Sequence, residues 1–351
     1  MTFRYIGSKS RLVDQISTHI GAHTKGVFVD AFCGTGAVAE VASNLGWPVR
    51  INDHLISATI ATQARLVSTR QAYFLELGGY ENAIRKLNEC PSRKGFIWRE
   101  YSPASAAYCG IERRYFTEAN AERIDGIRKM IDDWRLQSKI STTEERLLIG
   151  DLFSALNRVA NIAGTFGCFL AKWTPQSQEH LTMRSRELKP LSAPVEVSTT
   201  DVFSVHTSPE DLVYYDPPYT KRQYASYYHI LETVALYDEP VVEGVAGLRP
   251  WRHNASDFCY KVRALKALTR LIGNCAANRI LLSYSSEGHI RIDELEGALE
   301  GHGQVRMHPL GTIGRYRPNK VASDGGSKVS EFLVEINRLE TATTKRQIEF
   351  A

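Results

Sequence analysis

The stretch GVFVDAFCGTGAVAEVASNLG (residues 26–46), continued by WPVRINDH (47–54), decides how this chain folds. Residues 26–32 are a short apolar run with β-branched and aromatic side chains, the pattern of a buried strand. A glycine turn follows, then an alanine-rich helical stretch with a stop at Gly46. Residues 48–54 read as a second strand that ends in polar side chains. Upstream, apolar residues at 12, 13, 16 and 20 give Arg11 to Ile20 helical spacing. The opening is a βαβ unit.

Phe32-Cys33-Gly34-Thr35-Gly36 sits at the strand-to-helix turn. Glycine there permits backbone conformations that a Cβ would block, and amides at a helix start can face a ligand. A lone G-x-G fits a tight structural turn equally well. Ala39 occupies the third position of the dinucleotide pattern G-x-G-x-x-G, which tolerates alanine, so a nicotinamide enzyme stays open. Asp53 lies 17 residues past Gly36, where an acid at a strand end accepts ribose hydroxyls. It also suits the N-cap of a helix opening HLISATIATQA.

Working outward, residues 60 to about 190 read as mainly helical, with loops such as CPSRKGFIWREYSPAS (90–105) between the helices. Strand-like alternation returns at 193–205 and 211–219. A helix is expected over 227–237, an amphipathic helix over 260–275 and a buried strand over 279–286. QVRMHPLGTIGRYRP (304–318) and KVSEFLVEINR (328–338) read as a final hairpin joined by NKVASDGGS. The sum is one α/β domain split by a helical insertion.

The second informative stretch is YYDPPY (214–219). Two successive prolines remove two N–H donors and fix two φ angles, so the strand must end there. Asp216, when ionised, only accepts hydrogen bonds. A rigid pair of acceptors, the Asp216 carboxylate and the Pro217 carbonyl, beside the Tyr219 ring suits a planar amino group. A plain β-turn is the competing reading.

Composition bounds the choices. The 351 residues suffice for one large or two ordinary domains. No apolar run of about 18 residues suggests a membrane span, and MTFRYIGSKSRL is polar too early for a secretory signal. The six cysteines show no C-x-x-C pair, which argues against a zinc ribbon or a disulfide framework. Together these predict a cytoplasmic protein with no metal. Residues 60–200 carry 20 basic against 16 acidic side chains, the whole of the net charge of +4. That bias permits a polyanionic partner without demanding one.

FVDAFCGTG followed by YYDPPY, with RYIGSKSRL leading, resembles the Dam-like (alpha-group) N6-adenine DNA methyltransferases, which use S-adenosylmethionine. The order of the three motifs is more specific than any one of them. The resemblance implies a Rossmann-like class I methyltransferase fold: a mostly parallel sheet, a C-terminal antiparallel hairpin and an inserted helical target-recognition domain. It implies a catalytic domain of residues 1–60 and 195–351 and an insertion of 61–194. By the same resemblance, Tyr5, Lys9, Phe32, Gly34, Gly36, Asp53 and, more loosely, Asp201 contact the cofactor. Asp216, Pro217, Pro218 and Tyr219 form the catalytic motif.

The expected substrate is double-stranded DNA with the target adenine extruded, at a cost of a few kcal/mol. Stacking on Tyr219 returns roughly 1–3 kcal/mol, so phosphate contacts are needed. The candidates are Lys221, Arg222, Arg249, Arg252, Arg315 and Arg317. In the insertion they are Arg93, Lys94, Arg113, Arg114, Arg184 and Arg186. A monomer, with a restriction endonuclease as a possible companion, completes the expectation. N4-cytosine or RNA adenine methylation and a non-catalytic DNA-binding regulator are the alternatives.

Overall fold

The computed structural model describes residues 5–190, 193–313 and 329–338. Packing divides the chain into two units. One comprises Ser8–His54, Ala193–Gln223 and the described residues of Asn254–Ala351. The other comprises the described residues of Met1–Gly7 and Leu55–Ser192, together with Tyr224–His253.

The first unit is built on seven strands: β1 (Phe28–Asp30), β2 (Val49–Asn52), β3 (Val195–Ser198), β4 (Leu212–Tyr215), β5 (Arg279–Ser285), β6 (Gln304–Ile313) and β7 (Val329–Asn337). Their order is β3-β2-β1-β4-β5-β7-β6. The first five run parallel, and β7 enters antiparallel between β5 and β6. The chain order reverses between β1 and β4, where open α/β sheets gather ligands at the carboxyl ends of the strands. β1 and β4 are buried throughout, as continuous apolar runs in parallel sheets are. Helices Lys261–Asn274 and Ile292–Leu299 bury Leu268, Leu271, Leu295 and Leu299 with Val213, Ile280 and Val334 in one apolar cluster.

Several details differ from the sequence expectations; the stretch 90–105, read as a loop, carries helix Phe96–Tyr101. Only Val195–Ser198 of 193–205 is strand, and a short 3₁₀ turn, Val202–Ser204, follows. The strand is at the sheet edge and its residues are half-exposed or exposed, so alternation alone overstated its length. Asp201 therefore caps that turn, accepting the Phe203 amide at 2.9 Å. Helix Ile292–Leu299 was not anticipated.

The second unit contains helices Ile56–Leu66, Tyr80–Glu89, Phe96–Tyr101, Glu118–Leu136, Thr142–Val159 and His229–Leu236. Thr142–Val159 starts in a reciprocal capping box between Ser141 and Glu144, which satisfies two otherwise unpaired amides. Gly150 lets that helix lie close to Ile56–Leu66, because a Cβ there would stand 2.4 Å from that of Ala64. The start of Ile56–Leu66 has no cap of its own. Instead the Glu232 carboxylate accepts the amides of Ile56 at 3.1 Å and Ser57 at 2.9 Å. That contact ties His229–Leu236 to the insertion. By packing, the helical unit takes in Leu55–Ser192 and Tyr224–His253.

Candidate active site

The carboxyl ends of β1, β2 and β4 present the glycine loop, Asp53 and Asp216 along one edge of the sheet. The loop is fixed by its backbone. The Cys33 amide bonds the Asn52 carbonyl at 2.9 Å, and the Gly36 amide bonds Cys33 at 2.7 Å. Gly34 and Gly36 have φ of 51° and 74°, a region that side chains with a Cβ enter at a cost. Gly36 then caps helix Ala37–Asn44. The Phe32 ring turns into the apolar cluster, edge-on to Phe258 at 5.6 Å.

Asp53 does not cap the next helix. Its Oδ2 accepts the Gly34 amide at 3.0 Å, bracing the glycine loop from β2. Two residues with no assigned role in the sequence motifs complete this corner. Buried Asn52 donates to the carbonyls of Ala31 (3.3 Å) and Thr200 (3.2 Å) and accepts from the Thr200 amide (3.1 Å). It joins the ends of β1, β2 and the turn that carries Asp201. Asp30 is buried, and its Oδ1 meets no hydrogen-bond donor among the described residues. Burial, then Asp216 and Asp53, push its pKa well above the carboxylate range. Its signal in the sequence was an acid inside an apolar strand.

At the tip of β4, Lys9 Nζ stands 3.0 Å from Asp216 Oδ1 and 3.5 Å from Glu331 Oε2. The same ammonium lies 3.5 Å from the Tyr219 hydroxyl, which donates to Glu331 Oε1 at 3.3 Å. Burial would lower the Lys9 pKa, but Asp216, Tyr219 and Glu331 hold it well above the ordinary value, so the side chain is an ammonium. Burial pushes Asp216 up to about 6, against the pull of Lys9 and with Glu331 adding to the rise. The His289 amide fixes the Tyr219 carbonyl at 2.8 Å. Among the described residues no donor reaches the Pro217 carbonyl. Glu331 was also missed: it sits in an ordinary β7 alternation, and nothing local marks it.

Tyr5 belongs to the helical unit, where its ring stacks on Tyr228 at 4.3 Å. Tyr224 and Tyr228 there bond the Ile6 backbone through their hydroxyls. Of the phosphate candidates, Lys221 and Arg252 are exposed and Arg222 is half-buried. Arg249 is engaged internally, with both terminal nitrogens on Asp238 at 3.0 and 2.8 Å. Arg315 and Arg317 lie outside the described residues. In the insertion, Arg93, Lys94 and Arg184 are exposed. Arg113 is buried on Glu100 and the Gly244 carbonyl, Arg186 pairs with buried Asp151, and half-buried Arg114 pairs with Glu112. His19, with no ligand partner evident in the sequence, comes together with His308 and Glu335, their ligand atoms within 4.8 Å. Arg279 bonds Glu335 at 2.8 Å and brings its own positive charge into that group. The trio ties helix Val13–Ile20 to the β6–β7 hairpin.

A sheet of this order, with a glycine loop after β1, an acid after β2 and D-P-P-Y after β4, is a class I methyltransferase architecture. The chain belongs to the D12 class N6 adenine-specific DNA methyltransferase family, whose profile matches residues 5–297. Members of that family use S-adenosylmethionine as methyl donor. The chain is 36% identical over 344 residues to the type II methyltransferase M.FokI of Planomicrobium okeanokoites, covering 95% of this chain and 52% of that protein. It is 32% identical to modification methylase StsI of Streptococcus sanguinis, covering 85% and 46%. With the type II methyltransferase M.NlaIII of Neisseria lactamica the identity is 28%, covering 86% and 89%. The chain thus spans about half the length of the first two of these relatives. Among the described residues no helix is long and apolar enough to cross a membrane.

The residues at the carboxyl ends of β1 and β2 are of types that would suit the methyl donor. Gly34 and Gly36 adopt positive φ in the turn after β1. Asp53 and Asp201 are carboxylates suited to ribose and adenine groups. Asp30 Oδ1 is buried with no hydrogen-bond donor among the described residues.

Proposed function

We propose that this chain methylates the N6 amino group of an adenine extruded from double-stranded DNA. The observation that carries this reading is Asp216: a half-buried carboxylate just past the end of β4, followed by two prolines and countered by Lys9. S-adenosylmethionine, when bound, supplies a sulfonium methyl that the amino nitrogen takes, the carbon–sulfur electron pair returning to sulfur. The chain's own residues prepare the nitrogen. Its lone pair is delocalised into the purine, so accepting its two hydrogens at Asp216 and the Pro217 carbonyl favours a pyramidal nitrogen with a directed lone pair. Tyr219 supplies a face for the base. One N6 proton leaves, and Asp216 stands where it can receive it. Positioning and electrostatics contribute most of the acceleration.

Tyr5, Lys9, Phe32, Gly34, Gly36, Asp53 and Asp201 form the cofactor side in this proposal. The helical insertion reads the target sequence, and Lys221, Arg222 and Arg252 contact phosphates. Similarity to type II methylases supports membership in a restriction-modification system, with a cognate endonuclease as companion. The chain would act in the cytoplasm as a monomer.

The test is transfer of label from S-adenosylmethionine to unmethylated duplex DNA, read by nucleoside analysis, with Asp216→Ala alongside. Label in N6-methyladenine, lost in the variant, is expected. Label in cytosine or only in RNA would replace this reading with one of its rivals.

A further inference from the structure

The ammonium of Lys9 stands between two carboxylates, close to one and farther from the other. It pairs with Asp216 at 3.0 Å and with Glu331 Oε2 at 3.5 Å, and among the described residues that buried oxygen has no hydrogen-bond partner. A buried carboxylate oxygen held only by a long ion pair is costly and calls for a reason. Glu331 is otherwise well held. Its other oxygen receives the Tyr219 hydroxyl, and it pairs in register with Ser285 on β5 and Gly311 on β6. The open oxygen faces the ammonium, and an acceptor already bonded to an ammonium is a poor acceptor for an incoming amino group.

We propose that Glu331 is the second anchor of Lys9, a positioning residue that draws the ammonium off Asp216 as the amino group of the target base takes its place. The inference rests on the methyl-transfer reading given above. Lys9 already pairs with both carboxylates, so a small shift of Nζ toward Glu331 keeps it paired at every stage while Asp216 is released as an acceptor. The pair of carboxylates also leaves the cluster with one net negative charge beside the nitrogen on which positive charge develops.

Among the described residues, the charged and titratable groups facing this cluster are Lys9 before helix Val13–Ile20, Tyr214 on β4, Asp216 and Tyr219 after it, Asp30 on β1 and Glu331 itself. Glu331 raises the Asp216 pKa. Its neutralisation therefore moves the acid limb of the rate profile to lower pH.

The experiment is single-turnover methyl transfer across pH 4.5–8 on duplex DNA for wild type, Glu331→Gln and Glu331→Asp, with cofactor affinity and thermal melting measured in parallel. For Glu331→Gln we expect a plateau rate about 10- to 100-fold lower, an acid limb at lower pH and cofactor affinity within about twofold. Glu331→Asp should recover part of the rate. A folded Glu331→Gln with wild-type rate, or one with reduced rate and an unmoved acid limb, overturns the inference while leaving the methyl-transfer reading intact. Absence of N6 label with the wild type defeats that reading and the inference with it.

Discussion

Asp53 reaches back from the end of β2 to hold the Gly34 amide at 3.0 Å. The residue expected to bind ribose is thus also a brace for the loop it faces. In the proposed function this one side chain would both set the loop and bind the ribose.

Asp53→Ala should weaken cofactor binding about tenfold or more. A charge-assisted hydrogen bond contributes roughly 1.5–3 kcal/mol, and the loop loses its brace together with a ligand contact. Calorimetric titration with S-adenosylmethionine checks this, and unchanged affinity in a folded variant would refute it.

Methyl transfer by the wild type should decline as pH falls through about 6. Burial raises Asp216 to that value, and only its ionised form is purely an acceptor for the amine hydrogen. Asp216→Asn should abolish the acid limb and lower the rate at least 10²- to 10³-fold. A flat profile from pH 5 to 8 would contradict this assignment.

Glu232→Ala should destabilise the helical unit by about 1–2 kcal/mol, because the first two amides of Ile56–Leu66 lose the carboxylate that accepts them. Urea unfolding reads the loss. The segment most affected in hydrogen exchange should be the first turn of that helix.

Acid should loosen the same unit through His229. Its ring nitrogens are engaged by the Phe166 carbonyl at 2.8 Å and by the Tyr101 hydroxyl at 3.4 Å. Burial lowers its pKa to about 3. The folded value lies below the unfolded one, so between about 6.5 and 3 the unfolded chain binds more protons. Stability from this group is complete above 6.5 and is lost as pH falls toward 3. Melting temperature against pH for wild type and His229→Gln should show a steeper acid decline in the wild type.

Lys221 and Arg249 should separate by assay. Lys221→Ala should weaken DNA binding and reduce the salt slope by about 1, with stability unchanged. Arg249→Ala should cost about 1 kcal/mol of stability, its partner Asp238 being partly exposed, with the salt slope unchanged.

The strands and turns that define the methyltransferase edge were legible before any coordinates. A buried parallel strand is a continuous apolar run, a glycine at positive φ has few substitutes, and two prolines end a strand wherever they stand. Each is a local constraint, and local constraints are written in consecutive residues. Only the tertiary structure could decide what joins across the chain. Glu331 meets Lys9, Glu232 caps a helix about 175 residues earlier, and Asn52 ties three strand ends. Arg249 and Arg113 turn inward while Lys221 stays in solvent. Each depends on which side chain a distant backbone brings within about 3 Å, and a charge or an amide has the same local sequence signature in solvent as in a buried pair.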